Sequence, residues 1–259
     1  MLTKIYEASK LIGDAYAEQT KKMANAEEAN RYFIHKLNHT FAVYSVILDI
    51  MIREKTIAPY LTEEVRELIS LSAILHDIGR FYQFDENGNH IPNNIFHHAQ
   101  KSVDIIKTNP RFNNPMLLFA IQSHDLIEID YTSEYYTNLS DKDKKIADIM
   151  AKLLRDADKF ENMRNYVLNG SPSLVKGTVG PLSDDIKTFI KNKQSANRDF
   201  VKTAADTVAS CMLWVNNIYF DETRKMINDI NYIETLINIF IKCGASNDDV
   251  ALVREMVKV

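Results

Sequence analysis

Residues 62–79 read TEEVRELISLSAILHDIG. Thr62 followed by Glu63 and Glu64 is an N-cap with acids at the positive end of a helix. Val65, Leu68, Ile69, Ser72 and Leu75 then recur at helical spacing, and Gly79 supplies a stop. The stretch carries His76 and Asp77 directly after Ala73-Ile74-Leu75. An imidazole or a carboxylate on such an apolar face costs several kcal/mol unless it finds a partner, and a metal ion is one.

Outward from this helix the same periodicity dominates. A long helix is expected over about Glu27 to Glu54, with Leu37, Phe41, Tyr44, Leu48 and Met51 on one stripe. A polar loop from Asp85 to Asn94 leads into a short helix ending near Asn109-Pro110. Asn114-Pro115 opens another, with proline at the first helical position. Ser140 and Asp143 form a capping box ahead of Ile146, Met150, Leu153 and Ala157. Gly170, Pro172, Gly177, Gly180 and Pro181 crowd into twelve residues and mark a joint. Beyond it, helices are expected over Phe200 to Phe220, over Thr223 to Lys242, and from Ser246 onward. Residues 1–170 therefore read as the functional body, and 171–259 as a helical extension packed on the same body. A separately folding second domain is the alternative.

Composition agrees. The chain has 259 residues, 46% of them hydrophobic, with 31 basic against 35 acidic side chains. A sizeable core is within reach, and a basic nucleic-acid footprint is excluded. Glycine and proline number 7 and 6, about 5% of the chain where roughly 12% is average. Hairpins and bulges consume those residues, so an all-α fold is expected. Cys211 and Cys243 form no CxxC pair and read as buried, reduced thiols. The N-terminal run is amphipathic and lacks the apolar core of a signal peptide. The most apolar stretch, Phe41 to Ile52, contains Asp49 and is too short to span a bilayer. A cytoplasmic protein without a membrane segment is expected.

All seven histidines lie between positions 35 and 124. They include His39, His76 in the dipeptide His76-Asp77, the pair His97-His98, and His124 in the dipeptide His124-Asp125, and a carboxylate-rich run with Asp156 and Asp158 follows. Imidazole and carboxylate together suit divalent transition metals such as Mn, Fe, Co, Ni or Zn. His35 stands one turn before His39 on the same helix face, and His90 lies in the polar loop.

The order H…HD…D, carried by His39, His76-Asp77 and Asp158, resembles the HD-domain superfamily of metal-dependent phosphohydrolases. The surrounding phrases HTFAV, LSAILHDIGRF and LLRDADKFE are similar too, and the likeness covers about residues 30–165. It implies an all-α HD-domain bundle and places the last ligand at Asp158 rather than Asp156. Members with two metals follow the order H…HD…H…H…D. Here FHHAQKSVDII selects His98, with Ser102 where a glycine is common and His97 as competitor, and IQSHD selects His124. By this resemblance His39, His76 and Asp158 hold one ion, His98 and His124 the other, and Asp77 bridges.

The activity implied is hydrolysis of a phosphate monoester or diester of a small metabolite or nucleotide, using hydroxide drawn from water acidified by the ions. Asp77 and Arg80 are the catalytic candidates; His35, Arg80, Lys101 and Lys159 are the candidates for substrate contact. No GYP signature follows His124, and Gly79-Arg80-Phe81 replaces the acidic pair of guanosine polyphosphate hydrolases. The acidic, tyrosine-rich segment from Asp130 to Asp143 reads as aromatic packing or as a lid. A di-iron oxygenase cleaving a C–C or C–P bond shares the ligand order and stays open, as does a non-catalytic metal-binding regulatory module. The expected partner is a small phosphorylated substrate. The apolar C-terminal helices, with Trp214, Tyr219 and Phe220, suffice for core and homo-oligomer contacts.

Overall fold

The computed structural model describes residues 2–23, 25–170, 177–196 and 198–257. Twelve α-helices appear among them, and the described residues contain no strand, only the isolated bridges Phe84–His90 and Thr178–Thr203. The fold is all-α, as the scarcity of glycine and proline implies. The chain divides into two compact units, Met1–Asp158 and Lys159–Val259.

The first unit is built around α3 (Glu63–Leu75), against which α1 (Leu2–Lys22), α2 (Glu27–Arg53) and α5 (Pro115–Ser123) pack. Thr62 caps α3 by accepting from the Val65 amide. Every residue from Glu67 to Leu75 is buried, so this helix is enclosed on all sides. Its Ser70 and Ser72 hydroxyls are satisfied within the helix, donating to Arg66 O at 2.8 Å and Ile69 O at 2.7 Å. Each fully buried leucine or isoleucine here contributes roughly 1.5–3 kcal/mol. Around this core lie α4 (His98–Ile106), α6 (Glu134–Thr137) and the start of α7 (Asp141–Asn169). Helix α4 packs on α5 and on a 3-10 segment, Ile78–Tyr82.

Several boundaries differ from the sequence reading. Helix α3 stops at Leu75 rather than running on to Gly79; the chain turns at Asp77 and continues as the 3-10 segment. The buried stripe of α2 runs through Phe33, Thr40, Val43, Ile47 and Ile50, while Phe41 is 41% exposed. That helix is apolar over a wide arc, so periodicity alone left the inward face undetermined. Asn114 caps α5 as expected, accepting from the Met116 and Leu117 amides.

In the second unit the expected long helices are each broken. Phe200 to Phe220 contains α9 (Ala204–Met212) followed by a 3-10 segment, and Thr223 to Lys242 contains α10 (Asp221–Asp229) and α11 (Tyr232–Lys242). The second break falls at Asn231, whose φ of 50° lies in the left-handed region that asparagine tolerates. Helices α8 (Asp184–Lys191) and α12 (Asn247–Met256) complete the unit. Buried Asp206 and Asp249 close capping boxes on α9 and α12, and each also accepts an amide of the Leu182-Ser183 segment. Of the proposed joint, Gly170 and Gly177 have positive φ, and Pro172 lies outside the described residues. No helix among the described residues is long and apolar enough to cross a membrane.

Candidate metal centre

Two helices end at the same place in the first unit. His76 follows the last residue of α3, and its Nδ1 lies 2.8 Å from the Ala73 carbonyl. His124 follows the last residue of α5 in the same way, with Nδ1 2.6 Å from the Ile121 carbonyl. Carbonyls in the last turn of a helix are short of helical partners, so each can accept an imidazole proton; Ile121 O takes only a long bond, 3.4 Å, from the His124 amide besides. With Nδ1 donating, Nε2 is left as a lone pair, the usual state of a metal-ligating histidine. The helix ends also bring their partial negative charge to this point, which favours a cation.

Asp77 stands at the centre, its side chain 3% exposed. Its Oδ2 lies 3.8 Å from His39 Nε2 and 3.6 Å from His76 Nε2. Its Oδ1 lies 3.4 Å from His98 Nε2 and 3.5 Å from His124 Nε2. Asp158, arriving on α7, places Oδ1 2.9 Å from His39 Nε2. The structure thus brings together all six of the expected ligands. Two groups, His39–His76–Asp158 and His76–Asp77–His124, each have donor atoms close enough to hold one ion.

The electrostatics suit a cation. Burial lowers His76 to about 4 and His98 to about 2, so both imidazoles are neutral donors at physiological pH. Burial works against the charge on Asp77, but Lys36 and His76 outweigh it and hold the carboxyl well below its usual range. Burial likewise opposes the charge on Asp158, and the hydrogen bond with His39 outweighs it. Burial would lower His124 as well, yet the Asp77 carboxylate holds that imidazole above its ordinary value.

The donor set fits a divalent metal on two observations. His76 Nε2 and Asp77 Oδ1 are buried with no hydrogen-bond partner, although each is a strong acceptor. His98 Nε2 and His124 Nε2 face each other at 3.1 Å, an opposition of lone pairs that a proton or a metal ion resolves. Residues 37–163 match the family description of the HD domain. The chain belongs to the HD-domain superfamily. No curated protein and no solved structure matches it. HD domains bind divalent metals, which agrees with the His/Asp groups just described.

Within the HD domain, close packing sets the distances. The segment after Asp77 runs so near α4 that a Cβ at Gly79 would overlap the His98 carbonyl and stand 2.9 Å from the Ser102 amide. Gly79 N instead donates to Ser102 Oγ at 2.9 Å, and that hydroxyl donates to His98 O at 3.0 Å. Arg155, 1% exposed on α7, donates to the Ser123, Leu126 and Ile127 carbonyls at 2.5, 2.7 and 2.9 Å. It ties down the turn that carries His124, one helical turn from Asp158. In sequence Arg155 is only a member of a charged run, and nothing there signals this clamp.

The remaining candidates fall as follows. His97 is the exposed N-cap of α4, while His98 faces the cluster. Arg80 lies with Nε 3.5 Å from Asp77 Oδ1, its guanidinium donating to Gln83 Oε1 and Asn93 Oδ1 at 2.8 and 2.9 Å. His35 is exposed and stacks on His39 with 6.2 Å between ring centres. His90 is exposed and packs against Tyr32 and Phe84. The Lys101 ammonium sits over the Tyr82 ring at 5.2 Å, and Lys159 Nζ donates to the Asn217 carbonyl at 3.3 Å. Tyr131 and Tyr136 pack on Phe119, and the Tyr131 hydroxyl donates to Asp148 at 2.6 Å. Sequence reasoning missed Lys36, whose ammonium is 2.8 Å from Asp77 Oδ2 and whose side chain is 12% exposed. Its place three residues before His39, on one helix face, was the available signal. A cavity of about 670 Å³ between the starts of α3 and α7 shares none of the cluster residues.

Proposed function

We propose that the protein is a metal-dependent phosphohydrolase acting on a phosphate monoester or diester of a small metabolite or nucleotide. The observation that carries this reading is the Asp77 carboxylate, each oxygen of which faces two imidazole nitrogens within 3.8 Å. A buried carboxylate shared in this way suits a bridge between two ions. His39, His76 and Asp158 would hold one, and His98 and His124 the other. Two divalent ions at such a site acidify water and polarise the phosphoryl oxygens of an in-line displacement.

The chain's own groups supply the rest. Neutral His76 and His98 and ionised Asp77 and Asp158 present lone pairs without needing to lose protons at neutral pH. Arg80, anchored through Nη1 by Gln83 and Asn93, brings a fixed guanidinium beside Asp77, where Nη2 would donate to a phosphoryl oxygen. Lys36 adds a second cation on the opposite oxygen of Asp77.

Asp77→Ala tests the reading. The wild-type chain, purified anaerobically, is expected to carry divalent metal and to turn over p-nitrophenyl phosphate with Mn²⁺ or Ni²⁺; the variant should lose both. Unchanged metal content in Asp77→Ala would sink the bridging role. A mixed-valence iron signal without phosphatase turnover would favour the oxygenase instead.

A further inference from the structure

His98 differs from the two histidines beside it. His76 and His124 close helices, so carbonyls of their own last turn lie in reach of Nδ1. His98 opens α4 and has no preceding turn to supply one. Its Nδ1 is buried and finds no hydrogen-bond partner in good alignment among the described residues. The acceptor beside it is the Asp125 carboxylate, with Oδ2 at 3.0 Å. That distance lies within hydrogen-bond range, and the carboxylate is the charged acceptor nearest this nitrogen.

Asp125 is well held for such a task. It sits between Ser123 and the Leu126-Ile127 pair, whose carbonyls are all fixed by the buried Arg155 guanidinium. Its side chain is 32% exposed, so the carboxylate stays solvated while its backbone is pinned. A carboxylate behind an imidazole fixes the ring's tautomer and direction and strengthens its other nitrogen as a donor.

We propose that Asp125 is a positioning residue for His98, holding it as the Nδ1–H tautomer with Nε2 aimed at Asp77 Oδ1 and His124 Nε2. The value of this to a second ion rests on the two-metal reading above; the tautomer does not. Asp125 therefore acts on the half of the cluster to which His98 belongs.

The test uses the full chain and two variants, Asp125→Asn and Asp125→Ala, with thermal melts to confirm that both fold. Long-range ¹H–¹⁵N correlation on the metal-free protein reads the His98 tautomer directly. Wild type should show Nδ1–H and Asp125→Ala a shift toward Nε2–H, with Asp125→Asn in between because its amide oxygen still accepts. Mn²⁺ titration should show two ions in wild type, the weaker falling roughly 10–100-fold in Asp125→Ala while the tighter one holds. An unchanged tautomer in Asp125→Ala overturns the proposal, and so does equal loss of both ions, which marks general structural damage. A wild type that takes up no ion, yet shows the tautomer shift in the variant, overturns the two-metal reading and supports the positioning role.

Discussion

Replacing Gly79 with alanine adds one methyl group at the tightest approach in the metal-centre unit. The new Cβ would overlap the His98 carbonyl oxygen and lie 2.9 Å from the Ser102 amide and 3.0 Å from Lys101 Cβ. None of these atoms is the free end of a flexible side chain, so the first turn of α4 must retreat as a body. Non-bonded contacts settle near about 3.5 Å, which sets the retreat at roughly 1 Å. Overpacking of this kind costs about 1–3 kcal/mol, and at ~2–4 °C per kcal/mol for a chain of this size Tm should fall by about 2–12 °C. The larger effect falls on the centre. Metal–ligand distances tolerate only ~0.2 Å, so a 1 Å shift of His98 should abolish ordered binding at its half. Gly13→Ala is the control, since a Cβ there meets nothing within 4 Å inside α1 and should leave the chain slightly more stable. Calorimetry with and without Mn²⁺, together with Mn²⁺ titration, reads both effects. A Gly79→Ala protein that melts with wild type and binds the same number of ions equally tightly refutes the packing argument.

Two further outcomes are expected. Burial takes His76 down to about 4, whereas an unfolded chain binds that proton near pH 6.5, so in chelator its contribution of roughly 3 kcal/mol is complete above pH 6.5 and lost as pH falls toward 4. His98 acts in the same sense and His124 in the opposite one; the midpoint of denaturant melts should rise between pH 4 and 7 in wild type and rise less in His76→Gln, and a flat wild-type profile counts against the assignment. Arg155→Lys keeps the charge but cannot reach three carbonyls at once, so it should cost about 2–4 kcal/mol in urea melts and weaken metal binding through His124; wild-type stability in this variant would show the clamp to be dispensable.

Much of this was legible in the sequence because the signals are local. The Thr62 and Asn114 caps and the helix start at Ser246 lie within a few residues of the groups they satisfy. The order of histidines and aspartates likewise survives as a linear pattern. Direction was legible only through the resemblance, which selected His98 over His97, and not from the local pattern. Whether His97 or His98 turns inward depends on the residue at which α4 begins, and that is fixed by Gly79 and Ser102 meeting across 23 positions. Lys36 and Arg155 escaped for the same reason, and Asp125 stood out only as the neighbour of His124, since their partners lie 41, about 30 and 27 residues away respectively. The breaks in the second unit escaped because α10 and α11 continue one apolar period across the left-handed Asn231.

The way the imidazoles are oriented also bears on how the centre can change by mutation. Ala73 and Ile121 present main-chain oxygens to His76 and His124, and no amino-acid replacement can delete a carbonyl. Those two rings are therefore insulated from drift at the positions that orient them. His98 relies on a side chain, so a single codon change at 125 can alter one donor while the others keep their aim. An adaptive route that adjusts one half of the cluster and spares the other is thus open at one surface-accessible position.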